Sequence, residues 1–466
     1  MTPKIALSLA AVLAVSACAT DGEKTTDAAG TPSAVTGLDP TFGNAGVQAV
    51  PLAATDGDRL VAVASSSGGT YASGYVTQAG DQSMALVRLD ASGVPDKAFG
   101  GGDGVATVNL AVGGRTAEIG RSVAVQSDGK VLLAGPFEHN PSAPGAAAED
   151  TDVAVSRFDA TGNLDPSYGT GGTARLDLGT GAAISDEDWV GDTMWGITVL
   201  PDERVLVVGA KRAEGAGRTD RDLAVVMLDT SGKPDPSFAT GGTLTVDVAG
   251  GSETPKVAVV QPDGKIVVSG YTRSAGESPV VSPVLVRVLP DGTLDTAFGT
   301  NGVSNVQLLP AVSEAYDVAL QGDNLVIAGY GRASADEKVD MISARFRSDG
   351  SWDRSYGTDG LVRLDIAKED DRGRGLTVLP DGRILIAGSG KPSATDLQGM
   401  LVLLTPDGRF DTAFGTDGHV LVDLGGPTDA FFGVGVSADE KHALVVGWKG
   451  MDPVAGDDGV VARIAL

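Results

Sequence analysis

Short apolar runs alternate with tight polar turns along almost the whole chain. Runs such as Val105-Ala106-Thr107-Val108-Asn109-Leu110 and Leu361-Val362-Arg363-Leu364-Asp365-Ile366 have the two-residue period of a strand with one covered face. Others, such as Val131-Leu132-Leu133-Ala134-Gly135 and Ile384-Leu385-Ile386-Ala387-Gly388, are apolar throughout and end in Gly. Between runs stand Ser127-Asp128-Gly129-Lys130, Pro262-Asp263-Gly264-Lys265 and Pro380-Asp381-Gly382-Arg383. Asp-Gly between apolar runs predicts a tight β-hairpin. No long stretch has helical periodicity with caps.

These elements recur in phase. The segment Leu38-Asp39-Pro40-Thr41-Phe42-Gly43 returns down the chain, with its aromatic at Phe42, Phe99, Tyr168, Phe238, Phe298, Tyr356 and Phe414. An Asp stands three residues earlier each time: Asp39, Asp96, Asp165, Asp235, Asp295, Asp353 and Asp411. Each unit predicts four strands: A before the Asp-Gly turn, B after it, then C, then D after the Phe-Gly. Such a sheet is too small to be stable alone.

Seven such units resemble the delta-60 repeat family, a β-propeller repeat, over about residues 37–466. The resemblance implies an all-β fold, a seven-bladed β-propeller of four-stranded blades. Radial stacking buries both faces of each sheet, and closure removes long exposed edges. The chain opens with the LDxxFG turn and one strand, and ends with three strands at Val461-Ala462-Arg463-Ile464-Ala465-Leu466. The N-terminal strand is therefore expected to join the C-terminal blade and fasten the ring. A linear solenoid is the alternative, and it gives no reason for this phasing.

Residues 1–17, MTPKIALSLAAVLAVSA, carry Lys4 and then a short apolar stretch, which reads as an export signal. Cys18, the sole cysteine, follows Val15-Ser16-Ala17 and resembles a lipoprotein lipobox, so it is the expected lipidation site and membrane attachment. The other reading is an ordinary signal leaving Cys18 as a free thiol. By resemblance to bacterial lipoproteins, Ala19 in place of Asp implies the outer membrane, with the side it faces left open. Residues 18–36 are small and polar and read as a flexible tether ahead of the 37–466 propeller.

Composition narrows the partners. Acidic residues outnumber basic ones 61 to 35, for a formal charge of −26, which disfavours nucleic acid. One Cys and three His leave no disulfide framework and no Cys/His zinc site. Gly is abundant, but no GxGxxG opens a helix, so nucleotide cofactors have no support. No cofactor or metal is expected.

In a propeller the hairpins and LDxxFG turns share one face, and the long, irregular B–C and D–A loops share the other. The loop face is the expected binding face. Aligned on the A strands, Glu118, Asp192, Glu253, Asp371 and Asp429 take one position, with Asp56 and Glu314 one residue off in the other units. That arrangement predicts seven carboxylates at the channel mouth, either for a cation or basic ligand group, or satisfying loop N–H groups. Arg121, Lys256 and Arg374 follow three residues after their acids and could neutralise them locally. Trp189, Trp195, Tyr75, Tyr271, Tyr330, Trp448, Phe431 and Phe432 add rings suited to sugar or peptide contacts, or to covering strand ends.

Other chemistry is sparse. The repeated LDxxFG Asp residues read as turn caps rather than calcium ligands. An Arg stands eight residues before that Asp at Arg88, Arg157, Arg287 and Arg345, with Arg463 its C-terminal counterpart, but Met227 and Leu403 replace it. The Asp is therefore expected to be held mainly by backbone. His139, His419 and His442 do not suggest a Ser-His-Asp set. Asp186, Glu187, Asp188, Asp370 and Asp371 are the candidates for a carboxylate pair. The sequence reads as a monomeric lipoprotein that binds another envelope protein and is not an enzyme. The alternatives are cell-surface polysaccharide binding and, last, a carboxylate-dependent glycan hydrolase or lyase.

Overall fold

A computed structural model describes residues 37–466 apart from 51, 53–56, 111–117, 139–150, 184–188, 216, 249, 277–278 and 451–456. The export signal, Cys18 and the tether lie outside the described residues, as do His139, Asp56, Asp186, Glu187 and Asp188. The fold is all-β, with no helix among the described residues. It consists of four-stranded antiparallel units taken in chain order, with one small two-stranded sheet, Ala182–Ala183 with Trp189–Val190, beside them. Their A strands are Asp58–Ser66, Ser122–Val125, Thr193–Val199, Ser252–Val260, Val312–Gln321, Arg372–Val378 and Ala430–Val436. The units beginning at Ser252 and Val312 are linked by one parallel pair, Val281 with Val312. Each A strand packs on the A strand of the next unit, and Ala430–Val436 packs on Asp58–Ser66.

The two hydrophobic patterns have separate causes. B and C strands such as Val131–Glu138 and Thr151–Phe158 are buried almost throughout, because both faces are covered by neighbouring sheets. D strands such as Val105–Val108 lie at the outer edge of their sheets and alternate buried with more exposed residues. The N-terminal strand Val47–Val50 pairs antiparallel with Asp457–Ala465, so its sheet takes three strands from the C-terminus and one from the N-terminus.

The LDxxFG motif joins neighbouring units. Its aromatics are at most 2 % exposed. Phe42, Phe99, Tyr168, Phe298 and Tyr356 each lie against a glycine turn of the next unit: a Cβ on Gly93 would stand 2.5 Å from Phe42, and one on Gly408 2.6 Å from Tyr356. The motif's last residue donates its N–H across the same gap, as in Gly43 to Ser92 (2.9 Å), Gly169 to Ser231 (2.8 Å) and Gly357 to Asp407 (2.9 Å).

The Asp of the motif is held by both kinds of partner, which corrects the expectation that backbone dominates. Asp165, Asp295 and Asp353 accept the N–H two residues on and also pair with Arg157 (3.0 Å), Arg287 (2.9 Å) and Arg345 (2.8 Å). Where Met227 and Leu403 replace the Arg, Arg204 and Arg383 supply the guanidinium from the A–B hairpin, at 3.0 Å from Asp235 and 3.4 Å from Asp411. The C-strand Arg also donates to a carbonyl of the next unit, Arg157 to Thr230 and Arg345 to Pro406.

Candidate functional site

The acids predicted at the channel mouth are structural caps. Glu118, Asp192, Glu253, Asp371 and Asp429 are 0 % exposed. Glu118 accepts from the Leu110 N–H at 2.9 Å, and Asp192 from Leu178. Asp371 accepts from Ile366 and Lys391, and Asp429 from Leu424 and Gly450. These four tie the exit of one D strand to the next A strand; Asp371 and Asp429 also reach their own B strands, and Glu253 accepts from the B-strand Thr272 hydroxyl at 3.0 Å. Strand register assigns this position to Asp58 and Ser313 in the remaining units, in place of Asp56 and Glu314. Asp58 accepts from Leu52 and Gly459, and Ser313 from Leu309 at 2.9 Å. A hydroxyl can replace the carboxylate here because the task is to accept a loop N–H.

Burial pushes Glu253 and Asp371 up to about 7, against hydrogen bonds that pull them down. A carboxyl raised in the folded state keeps a proton that the unfolded chain sheds above about pH 4. Both groups should therefore lower stability as pH rises from about 4 to about 7. Asp165 and Asp353, held down at about 2, lose their contribution only in stronger acid. The urea midpoint is expected to be higher at pH 5 than at pH 8, and Glu253→Gln with Asp371→Asn should flatten that slope.

What faces the converging A strands is the residue three beyond the cap. A bulge follows the cap in the A–B ladder, for example between Pro255 and Val257 and between Ala315 and Asp317. The bulged residue is redirected out of the ladder. In chain order the residues at this position are Val61, Arg121, Trp195, Lys256, Tyr316, Arg374 and Phe432, with Arg121 standing just ahead of its strand Ser122–Val125 and the others at the bulge. Six of them form a continuous belt. Arg121 Cζ lies 3.9 Å from the Trp195 ring centroid, and Lys256 Nζ 3.1 Å from the same centroid. Lys256 Nζ and Arg374 Cζ each stand 4.2 Å from Tyr316, and Arg374 stands 5.3 Å from Phe432. B-strand rings flank the belt: Tyr271 and Tyr330 at 6.2 and 5.2 Å from Tyr316, and Trp448 at 6.2 Å from Phe432.

The belt's electrostatics are unusual for a chain of −26. Arg121, Lys256 and Arg374 make no ion pair among the described residues, and Lys256 Nζ has no hydrogen-bond partner. Lys256 is 2 % exposed. Burial, with Arg121 and Arg374 nearby, holds its ammonium well below the usual lysine range, and burial lowers Arg121 to about 10. Glu314 is the carboxylate near Lys256 and Tyr271. The Tyr316 and Tyr330 hydroxyls lie 3.2 Å apart, and burial raises Tyr330 and Tyr271.

The predicted aromatics thus divide. Trp195, Tyr271, Tyr330 and Trp448 belong to the belt and its flank. Phe431 is instead fully buried in the core, against Gly399. Trp189 belongs to the short strand Trp189–Val190, and its side chain lies outside the description. Tyr316 was not singled out in the sequence, and Arg121, Lys256 and Arg374 were read as partners of the acids. The signal that finds all four is their constant offset from the cap. His442 stands apart, 3.4 Å from Asp39. Among the described residues three carboxylate triads lie between units: Asp152/Asp177/Asp192, Asp222/Asp247/Glu253 and Asp340/Asp365/Asp371. Any of them could hold a cation, but Arg218 already sits on Asp222 and Asp247, and Arg363 on Asp340.

Repeated four-stranded sheets packed along their A strands define a β-propeller repeat protein. A family model described as a domain of unknown function, DUF5122, β-propeller, matches residues 126–168, 261–298 and 379–414. Each matched segment runs from the A–B hairpin to the LDxxFG aromatic. No curated protein matches the chain.

Solved structures of similar shape include a protein of unknown function from Dyadobacter fermentans, at 11 % identity and TM-score 0.43, with 90 % of this chain and 99 % of that one covered. The polysaccharide lyase Uly1 is similar at 11 % identity and TM-score 0.48, covering 88 % and 90 %. Sqt1 of Chaetomium thermophilum, bound to the N-terminus of ribosomal protein L10, is similar at 14 % and 0.43, covering 90 % and 100 %. A levansucrase of B. megaterium, a luciferin-regenerating enzyme and an acylaminoacyl peptidase of Pyrococcus horikoshii also appear, at 8–12 % identity and TM-scores of 0.33–0.42. Several of these proteins are enzymes, which runs against the expectation of a non-enzyme, and at such identities the likeness shows the fold alone. Fold alone assigns none of these activities.

Proposed function

We propose that the chain is a lipid-anchored protein of the outer membrane whose delta-60-like units form seven blades of a closed β-propeller. Its loop-face mouth binds a cell-surface polysaccharide. Closure is supported by the pairing of Val47–Val50 with Asp457–Ala465 and by the packing of Ala430–Val436 on Asp58–Ser66. Anchoring rests on the Cys18 lipobox.

The observation that carries the binding reading is the belt of Trp195, Tyr316 and Phe432 with Tyr271, Tyr330 and Trp448 at its flank. All six rings are only half-buried; cations already lie on the faces of Trp195 and Tyr316, so a sugar ring would stack on the flanking B-strand rings, and the Tyr316 and Tyr330 hydroxyls offer hydrogen bonds to its hydroxyls. Docking of another envelope protein is the second reading, favoured by the long loops between Arg212 and Arg221 and between Arg273 and Val281 on the same face.

The test is calorimetric titration of residues 19–466 with oligosaccharides released from the cell envelope. Binding is expected, with Tyr271→Ala weakening it about tenfold or more while the melting temperature holds. The same mixtures are read for glycan shortening, which would make the site catalytic as well. Absence of binding across the oligosaccharides overturns the reading.

A further inference from the structure

We infer that the ligand of this mouth carries an anionic group, and that the ligand is an acidic saccharide whose carboxylate is taken by Arg121, Lys256 and Arg374. The inference rests on the polysaccharide reading and names its chemistry.

The argument begins with charge placement. A protein of −26 has acid to spare for neutralising its cations. Elsewhere it does so: Arg157, Arg204, Arg287, Arg345, Arg363 and Arg463 each sit on an Asp. Three cations nevertheless gather on alternate members of one belt without an ion pair. Mutual repulsion and desolvation both oppose that arrangement. Ring faces compensate in part, through contacts with Trp195 and Tyr316. They supply no hydrogen-bond acceptor, and Lys256 Nζ, almost wholly buried among them, has none. An arriving carboxylate would lie beside two half-exposed guanidiniums, with the ammonium behind them. Glu314 offsets one positive charge, and the two guanidiniums alone keep the cluster net positive.

Charge also selects the form of the ligand. The surrounding acidic surface repels a long polyanion, whether nucleic acid or a fully charged polysaccharide. Screening confines that repulsion to about 8 Å at physiological salt. A single charged residue at a chain end, or one set sparsely among neutral sugars, therefore fits this mouth best. An acidic peptide shares the charge, but it would leave the half-buried faces of Tyr271 and Tyr330 without a ring to stack on them.

The experiment compares short probes of equal length: trigalacturonate, galactotriose (the same sugar without carboxylates) and triglutamate. Each is titrated into residues 19–466 by calorimetry at low and physiological salt. Trigalacturonate is expected to bind about tenfold to a hundredfold more tightly than galactotriose, as charged hydrogen bonds allow. Arg121→Gln with Arg374→Gln should remove that difference, weakening trigalacturonate about tenfold or more relative to galactotriose. Equal binding of the two sugars overturns the inference and leaves the polysaccharide reading standing. Binding of neither sugar overturns both. Triglutamate bound more tightly than trigalacturonate overturns the inference in favour of an acidic protein partner.

Discussion

Removal of residues 1–52 is expected to abolish folding of the remaining chain. The deleted segment contains Phe42 and Val50, each 2 % exposed, and both belong to a cluster with Leu60, Val87, Leu89, Leu444 and Val461. Truncating two such side chains costs about 2–5 kcal/mol each, against a total stability of about 5–15 kcal/mol. The deletion also removes Asp39, the carboxylate partner of Arg463 at 2.8 Å, and leaves that guanidinium against the core without its ion pair. Finally it exposes the hydrogen-bonding edge of Asp457–Ala465, an invitation to aggregate. A rearranged chain separates loss of the strand from loss of a chain terminus. In that variant residues 37–52 follow Leu466 through a short Gly-containing turn, as each LDxxFG segment follows its C strand elsewhere. The closed-ring reading predicts that this variant melts cooperatively near the parent temperature while the simple deletion does not. A cooperative, parent-like melt of the deletion itself would overturn it.

The architecture was legible in the sequence because repetition averages over local ambiguity. Four strands per unit, Asp-Gly hairpins and the shared sheet of the two chain ends all follow from the spacing of LDxxFG, and the sheets have that order. The site was legible only in part. Asp371 and Asp429 recur at one position, which a ligand site and a structural cap explain equally well until their N–H partners are seen. The aromatics Tyr271, Tyr330 and Trp448 could be placed because they follow the B-strand Gly. Lys256 and Arg374 were visible but assigned to the acids, since an unbulged strand puts residues at odd separation on opposite faces and gives no hint of the belt. The Arg–Asp staple failed for a similar reason. Arg204 and Arg383 reach Asp235 and Asp411 from another strand, and no fixed offset along the chain reveals that.

The B-strand glycine makes the bulge possible, and Gly329→Ala is expected to destabilise the fold by more than about 3 kcal/mol, beyond the usual cost of an overpacked core. A Cβ at Gly329 would stand 1.8 Å from the Glu314 carbonyl oxygen and 3.2 Å from the Ala315 Cα. The same approach recurs at every equivalent position: Gly74, Gly135, Gly209, Gly270, Gly388 and Gly447 would each meet an A-strand carbonyl oxygen within 2.3 Å. Backbone this close has no flexible side chain that can give way. The A and B strands must separate, and the bulge between Ala315 and Asp317 must move with them. Tyr316 would then leave its place between Lys256 and Arg374, so the substitution should also weaken saccharide binding in whatever fraction still folds. Gly68→Ala is the matched control. A Cβ there meets its nearest atom, Ser66 Oγ, at 3.4 Å, and the change should stay within about 0.5 kcal/mol. Urea unfolding followed by far-UV circular dichroism reads both variants. A Gly329→Ala midpoint close to that of Gly68→Ala would show that the strand pair can relax around a methyl group, and the glycine would then not be what sets the bulge.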